Sequence, residues 1–201
     1  MKILIIHEID WIKKVPFEPH HLAEIFSIKC HDVFVVNCAE PNPSKIWSGM
    51  FTSVTKKYHR LYDDASITLI RPSSILIKGL NRATHFLTCK RVIKKILVEN
   101  NIDIILLYGV ATNGIQSIEL SKELHIPIVF RSLDVAHELV KIPIVHNITK
   151  KYETYVIRNA IKVLSTTPEL VRYAKEMGAN DQSVEYFPLG VNPQFFKPIP
   201  K

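Results

Sequence analysis

Asp134 and His137 stand three residues apart in Arg131-Ser132-Leu133-Asp134-Val135-Ala136-His137-Glu138, the densest polar run that follows a strand pattern. In a helical turn, residues i and i+3 share a face. A carboxylate placed there orients an imidazole, and the pair can exchange a proton with a hydroxyl acceptor. The same spelling also suits Asp134 as the cap of a short helix, with His137 and Glu138 solvated. Asp134 and His137 are therefore the catalytic candidates, and Arg131 and Glu138 are neighbours able to hold an acceptor.

Other polar groups follow other strand patterns. His7-Glu8-Ile9-Asp10-Trp11-Ile12-Lys13-Lys14 follows the first strand and contains no glycine. A backbone without glycine does not approach a pyrophosphate in the usual tight turn, so NAD and FAD are excluded there. His7 and Glu8 open the cleft at the end of this strand and are binding candidates. His20 and His21 follow Pro19. Either one of them points at the cleft beside His7 and Glu8, or Pro19 only starts a helix with one histidine at its surface. Gly109-Val110-Ala111-Thr112-Asn113-Gly114 has Walker-like glycine spacing, but Ile115-Gln116 replace Lys-Ser/Thr, so it is no P-loop. Its amides could still meet an anion, with Gly109 at the binding surface; the alternative is a plain strand-to-helix turn. His21-x-x-Glu24 and the nearby His137 and Glu138 hint at a metal, but no second ligand set has metal-site spacing, so none is expected.

These residues need a frame to bring them together. Continuous Ile/Val/Leu runs mark strands at 2–7, 32–37, 66–71, 103–108, 127–131, 162–166 and 183–187. Such runs belong to strands buried on both faces. Helical patterns lie between them at 19–30, 80–99, 113–124, 144–160 and 168–177. The last has Thr167 as N-cap, Pro168 at its first position and Gly178 beyond its end. Alternation of this kind predicts an α/β fold: a Rossmann-like, doubly wound, mainly parallel sheet of about seven strands with helices on both faces. Residues 41–64 read as an excursion, a loop followed by an edge strand at 52–60. Ligands of open parallel sheets bind at the carboxyl ends of the strands, and every site residue named so far lies there.

The chain has 201 residues and a net charge of +7. No apolar run approaches the roughly 20 residues of a spanning helix. The first strand begins at once, which predicts no signal peptide. Three widely spaced cysteines, Cys30, Cys38 and Cys89, suit a reducing compartment. Between Asp64 and Glu99 there is no acid, while Arg71, Lys78, Arg82, Lys90, Arg91, Lys94 and Lys95 are all cations. The 80–99 pattern is amphipathic, with Phe86, Cys89, Ile93, Ile96 and Leu97 on one face and Lys90, Arg91, Lys94 and Lys95 on the other. The basic face is either a solvated outer surface or an attachment to an anionic membrane, with Trp47, Phe51 and Tyr58 as interfacial anchors.

The run Phe187-Pro188-Leu189-Gly190-Val191-Asn192, followed by Phe196-Lys197-Pro198, resembles the segment that leaves the first domain of GT-B-fold glycosyltransferases. There it usually reads Asn-Gly-Val-Asp and then Phe-x-Pro; here Leu189 replaces the Asn and Asn192 the Asp. Lys2-Ile3-Leu4-Ile5-Ile6 resembles the opening strand of family-4-type (group 1) members. His21-Leu22-Ala23 with His31-Asp32-Val33, Ile102-Asp103-Ile104-Ile105, Ile126-Pro127-Ile128-Val129 and Val163-Leu164-Ser165 are similar to later motifs in the same order.

This resemblance implies a retaining transferase whose N-terminal domain, residues 1–188, holds the acceptor. Residues 189–201 would be the hinge towards a C-terminal domain that binds a nucleotide-sugar co-substrate. It implies no cofactor and no metal, because helix dipoles and basic residues neutralise the leaving diphosphate. The acceptor would be lipid-linked or phosphorylated at the inner membrane face, or a small cytoplasmic molecule. Two departures stand out. The Gly-Gly loop that approaches the donor phosphate after the first strand is missing, which leaves Lys13 or Lys14 to supply charge there, with His7 and Glu8 at the acceptor. Leu133 stands where a histidine is usual, which turns attention to Asp134 or His137. The rival reading is a stand-alone basic α/β module for an anionic partner such as nucleic acid. Against it, no aromatic residues interleave with the 71–95 stripe as stacking platforms.

Overall fold

The computed structural model describes residues 1–193. Its strands are β1 (Lys2–Ile6), β2 (Asp32–Val36), β3 (Ser53–Tyr58), β4 (Ile67–Arg71), β5 (Ile104–Leu107), β6 (Ile128–Ser132), β7 (Lys162–Ser165) and β8 (Val184–Tyr186). Its helices are α1 (Glu18–Ile28), α2 (Leu80–Glu99), α3 (Gly114–Leu124), α4 (Pro143–Asn159) and α5 (Pro168–Glu176). All strands join one sheet in the order β3-β4-β2-β1-β5-β6-β7-β8. Every pairing is parallel except β3 with β4. The sheet therefore has eight strands, the antiparallel edge strand coming from the 41–64 excursion. Lys57, at φ 53°, sits where the β3–β4 register shifts, a bulge after which pairing resumes at Tyr58 and Ile67.

The apolar runs are explained by burial on both sides of the sheet. Leu4 and Ile6 of β1 join a core with Cys89, Ile93, Ile96 and Leu97 of α2, Ile118 of α3 and Val156 of α4. Ile3 and Ile5, one residue out of phase, join a second core with Val33, Val35, Ile67, Leu69 and Ala23 of α1. Side chains alternate across a strand, so a strand apolar at every position must be covered twice. The predicted apolar face of α2 needs one correction: Phe86 is 37% exposed, because it is rotated one position past His85 on the buried stripe Asn81, His85, Cys89, Ile93, Ile96, Leu97. Thr167 caps α5 by accepting the Leu170 amide at 3.2 Å, and Gly178 beyond it has φ +96°. No helix among the described residues is long and apolar enough to cross a membrane. The part of the predicted hinge from Gln194 onward, with Phe196-Lys197-Pro198, lies outside the described residues.

Glu24 is the polar exception on the buried face of α1. It is fully buried, and its carboxylate accepts the amides of Arg60, Leu61 and Tyr62 at 2.8, 2.9 and 2.9 Å. It fixes the turn that returns the chain from β3 to β4. Hydrogen bonds to a charged group are worth more than neutral ones, and unmade buried ones are costly. Glu24→Ala should therefore lower stability by about 2–3 kcal/mol, read as a lower urea midpoint. Glu24→Gln, which keeps one acceptor oxygen, should fall between.

Candidate functional site

The loop leaving β1 has to satisfy its own amides and those of its neighbours without glycine. Glu8 does part of this by turning its carboxylate onto the start of α3. Its Oε1 accepts the amides of Thr112 and Asn113 at 2.6 and 2.8 Å. These are the donors that a helix N-terminus offers to an anion. The Gly109–Gly114 loop thus does present amides to an anion, and that anion is the chain's own Glu8. A Cβ on Gly109 would stand 2.3 Å from Cγ of Glu8, so the glycine there makes room for the glutamate.

Arg82, from the first turn of α2, closes the arrangement. Its Nη2 donates to the Glu8 carbonyl at 2.8 Å, and its Nη1 lies 3.3 Å from both Glu8 Oε2 and Thr112 Oγ1. Asp10 plays the matching part on the other side. It accepts the amides of Ile12, Lys13 and Glu40, each at 3.1 Å, and so ties the β1 loop to the β2 loop. Between these loops opens a cavity of about 350 Å³ lined by Glu8, Asp10, Lys14, Cys38, Glu40, Asn81 and Arg82. A shallower hollow of about 140 Å³ shares Asp10 and Glu40 and adds Lys13 and Asn37. Lys13 and Lys14 stand at the rims, 3.9 Å from Asp10 and 3.8 Å from Glu40. The walls offer carboxylates and cations in alternation, which suits a ligand rich in hydroxyls.

The histidines are distributed differently from the expectation. His20 is fully buried. Its Nε2 donates to the Trp11 carbonyl at 3.1 Å and its Nδ1 accepts the Phe17 amide at 3.4 Å. That is the return half of a capping box, so His20 organises the start of α1 and does not reach the cleft. His21 is half-buried against Tyr62, its Nδ1 2.9 Å from the hydroxyl. Asn192, in the segment after β8, donates to that same hydroxyl at 2.8 Å. His7 stacks on Tyr108 with ring centroids 5.1 Å apart and meets the edge of Phe17. Burial pushes His7 down to about 3, helped by His20 and Arg82. Burial likewise pushes His20 and His85 down to about 4.

Arg131 is 1% exposed and forms a two-pronged ion pair with Glu18, Nε to Oε1 and Nη2 to Oε2 both at 2.7 Å. Its Nη1 donates to the carbonyls of Leu164 and Phe187 at 3.3 and 2.5 Å, and its guanidinium lies over the Phe187 ring. Tyr108 donates to Glu18 at 3.1 Å. Arg131 is therefore a brace that ties α1 to the ends of β6, β7 and β8, and its burial keeps it from an acceptor.

The expected Asp134–His137 pair does not form. Asp134 is exposed, whereas His137 is 3% exposed. The carboxylate that orients His137 is Glu153 of α4, 2.7 Å from Nδ1, which also accepts the amides of Ala136 and His137 at 2.9 and 3.2 Å. The turn after β6 is of 3-10 type over Ala136–Leu139, and Asp134 precedes it, out of reach of an i, i+3 contact within one turn. Glu138 projects to the surface beside His137 and His146.

On α2 the basic stripe is partly answered. Lys90 and Lys94 pair with Glu119 and Glu123 of α3 at 2.5 and 2.6 Å, and Lys95 lies 3.9 Å from Glu99; Arg91 is exposed.

Five residues with clear roles were not among the sequence-derived candidates: Asp10, Glu18, Arg82, Glu40 and Glu153. One of the five carried a signal. Glu153 falls in the stripe Thr149, Glu153, Val156, Ile157 that α4 buries, and a lone carboxylate in such a stripe must have a polar partner. Glu24 does the same on α1.

The three low-pKa histidines set the acid limit of the fold. They stay neutral when folded, while the unfolded chain takes up protons below about pH 6.5. Stability should be complete above about pH 6.5 and fall by about 1.4 kcal/mol per unit per histidine as the pH drops towards 4. His85→Gln should flatten that slope in urea midpoints measured from pH 7 to 4.5. Gly109→Ala should push Glu8 off its amides, and hydrogen exchange should accelerate at Thr112 and Asn113 before other loops.

No protein-family model and no curated protein matches this chain. Solved structures do resemble it. Sucrose-phosphate synthase from Thermosynechococcus elongatus superposes with a TM-score of 0.61 at 12% identity, covering 96% of this chain and 91% of that one. HepE from Anabaena, solved in complex with UDP-glucose, gives 0.60 at 11% identity and covers 100% of this chain. UDP-GlcNAc 2-epimerase from Methanocaldococcus jannaschii gives 0.51 at 12% identity and covers 92%. The chain spans about half of the latter two, 47% and 45% of their lengths. At these identities the likeness is one of fold: this chain has the Rossmann-like α/β domain fold found in GT-B enzymes.

Proposed function

We propose that this chain is the acceptor-side domain of a retaining glycosyltransferase that takes a sugar from a nucleotide-sugar. The observation that carries the reading is Glu8 on the amides of Thr112 and Asn113. A carboxylate in that position repels a diphosphate from the strand–helix loop of this domain. The donor must then be gripped by a second domain, and the cavity beside Glu8 is left for a hydroxylated acceptor. Glu8, Asp10 and Glu40 accept from its hydroxyls, while Asn81, Arg82 and Lys14 donate. Lys13 and Lys14, at the cavity rims, meet the donor phosphates when the second domain closes. Asp134, exposed after β6, is the catalytic candidate that remains. The fold's likeness to HepE, which was solved with UDP-glucose, supports the same reading.

Metal plays no part in the transfer step in this reading. A lipid-linked acceptor would place the protein in the cytoplasm at the inner membrane face. Attachment through Lys90, Arg91, Lys94 and Lys95 belongs to the proposal, although Glu119, Glu123 and Glu99 offset three of those charges and weaken it. The same pairing weighs against a stand-alone module for nucleic acid.

The test is release of nucleoside diphosphate from UDP-, GDP-, ADP- and dTDP-sugars by the folded product of the native gene, with free sugars and lipid-linked sugars as acceptors. Arg82→Ala should raise the acceptor KM with little change in the donor KM. Asp134→Asn should lower kcat by about 10²-fold or more. A folded product that transfers no sugar from any of these donors would sink the reading.

A further inference from the structure

The surface turn between β6 and α4 carries a cluster that the acceptor cavity does not use. His137 lies in the 3-10 turn, Glu138 follows it, and His146 stands in the first turns of α4. Sequence spacing hid the group, because the histidines come from separate elements. In the fold, His137 Nε2 lies 3.4 Å from Glu138 Oε1, and His146 Nε2 lies 3.8 Å from the same oxygen. One ligand atom from each of the three residues lies within 4.8 Å of the other two. Bonds of about 2.0–2.1 Å to a tetrahedral ion place ligand atoms about 3.4 Å apart. One edge of that tetrahedron is already met. The others close by rotating Glu138 and His146, whose side chains are 68% and 31% exposed.

A second observation is independent of the cluster itself. The buried Glu153 carboxylate holds Nδ1 of His137 at 2.7 Å. A carboxylate only accepts, so Nδ1 donates to it, and Nε2 is the ring nitrogen that faces Glu138. Metal-binding histidines are oriented in this way: the second nitrogen donates to a carboxylate that fixes tautomer and ring angle. Glu153 also pins the amides of Ala136 and His137, so the backbone carrying the first ligand is set before any ion arrives. The Tyr173 hydroxyl, 3.3 Å from Nδ1, backs the ring from α5.

We propose that His137, Glu138 and His146 form a site for a zinc-type divalent ion, with Glu153 as the positioning residue behind His137. Two imidazoles and one carboxylate suit zinc or a similar transition metal; calcium and magnesium demand oxygen ligands. Three protein ligands leave a fourth, solvent-facing position for water or for a donor group brought by a ligand. The site does not rest on the glycosyltransferase reading and stands or falls separately from it.

The test is titration of the full chain with Zn²⁺ by calorimetry, and with Co²⁺ to read the visible band of a tetrahedral N/O site. One ion per chain is expected. His146→Ala and Glu138→Ala alter exposed side chains and should each weaken binding at least tenfold. Glu153→Gln should weaken it 10–100-fold and shift the cobalt spectrum while all three ligands remain. Absence of binding by the folded chain overturns the proposal, as does binding that neither His146→Ala nor Glu138→Ala changes. If Glu153→Gln unfolds the chain, the two surface variants still decide.

Discussion

A loop that leaves water must still satisfy its amides, and in this protein the acceptors are side-chain carboxylates. Glu8 takes two amides at the start of α3, Asp10 takes three from the β1 and β2 loops, Glu24 takes three after β3, and Glu153 takes two after β6. Each is held mostly or wholly away from solvent. The loops are thereby fixed relative to the sheet, and Glu8 and Asp10 shape the cavity between the β1 and β2 loops.

That arrangement has a chemical consequence. A doubly wound sheet ordinarily offers the amides of a strand–helix turn to phosphate. Here the anion is built in, so the nearby space is lined by paired charges suited to hydroxyls. Arg131 adds the mechanical link. By bracing Glu18 of α1 against the ends of β7 and β8, it fixes where the chain leaves the sheet, and Asn192 contacts Tyr62 just beyond. The segment after β8 is thus tied to α1 and to the turn before β4. The turn carrying His137 and Glu138 is held by Glu153 of α4, and the cluster they form with His146 shares no residue with the cavity lining, which is why its chemistry can be tested apart from the cavity.

Local chemistry was readable where it is local. All five helices and the seven core strands follow from apolar periodicity, Pro168 at the start of α5 and Gly178 at its end, because backbone propensity and burial act over a few residues. An edge strand at 52–60 was expected in the excursion, but neither its antiparallel pairing nor its bulge at Lys57 was, because β3 is exposed almost throughout and carries no apolar period. Among the candidate residues, the sequence pointed to the right loops more often than to the right atoms. Glu8, Lys13 and Lys14 lie at the cavity or its edge, whereas His7 packs inward on Tyr108 and Phe17. His20 and Arg131 point inward because their partners, Trp11 and Glu18, come from other parts of the chain.

What the sequence alone determined is the alternation of strands and helices, and therefore that polar residues gather at one edge of a parallel sheet. Which carboxylate meets which donor was decided only by tertiary structure. Glu8 and Asn113 are separated by 105 positions, and Arg131 and Glu18 by 113. The Asp134–His137 expectation failed for the same reason. A short-range rule proposed a neighbour in sequence, whereas the buried imidazole took the carboxylate that α4 delivered in the core. Charge pairing is settled by distance in space and by exclusion of water, and neither is written in residue spacing.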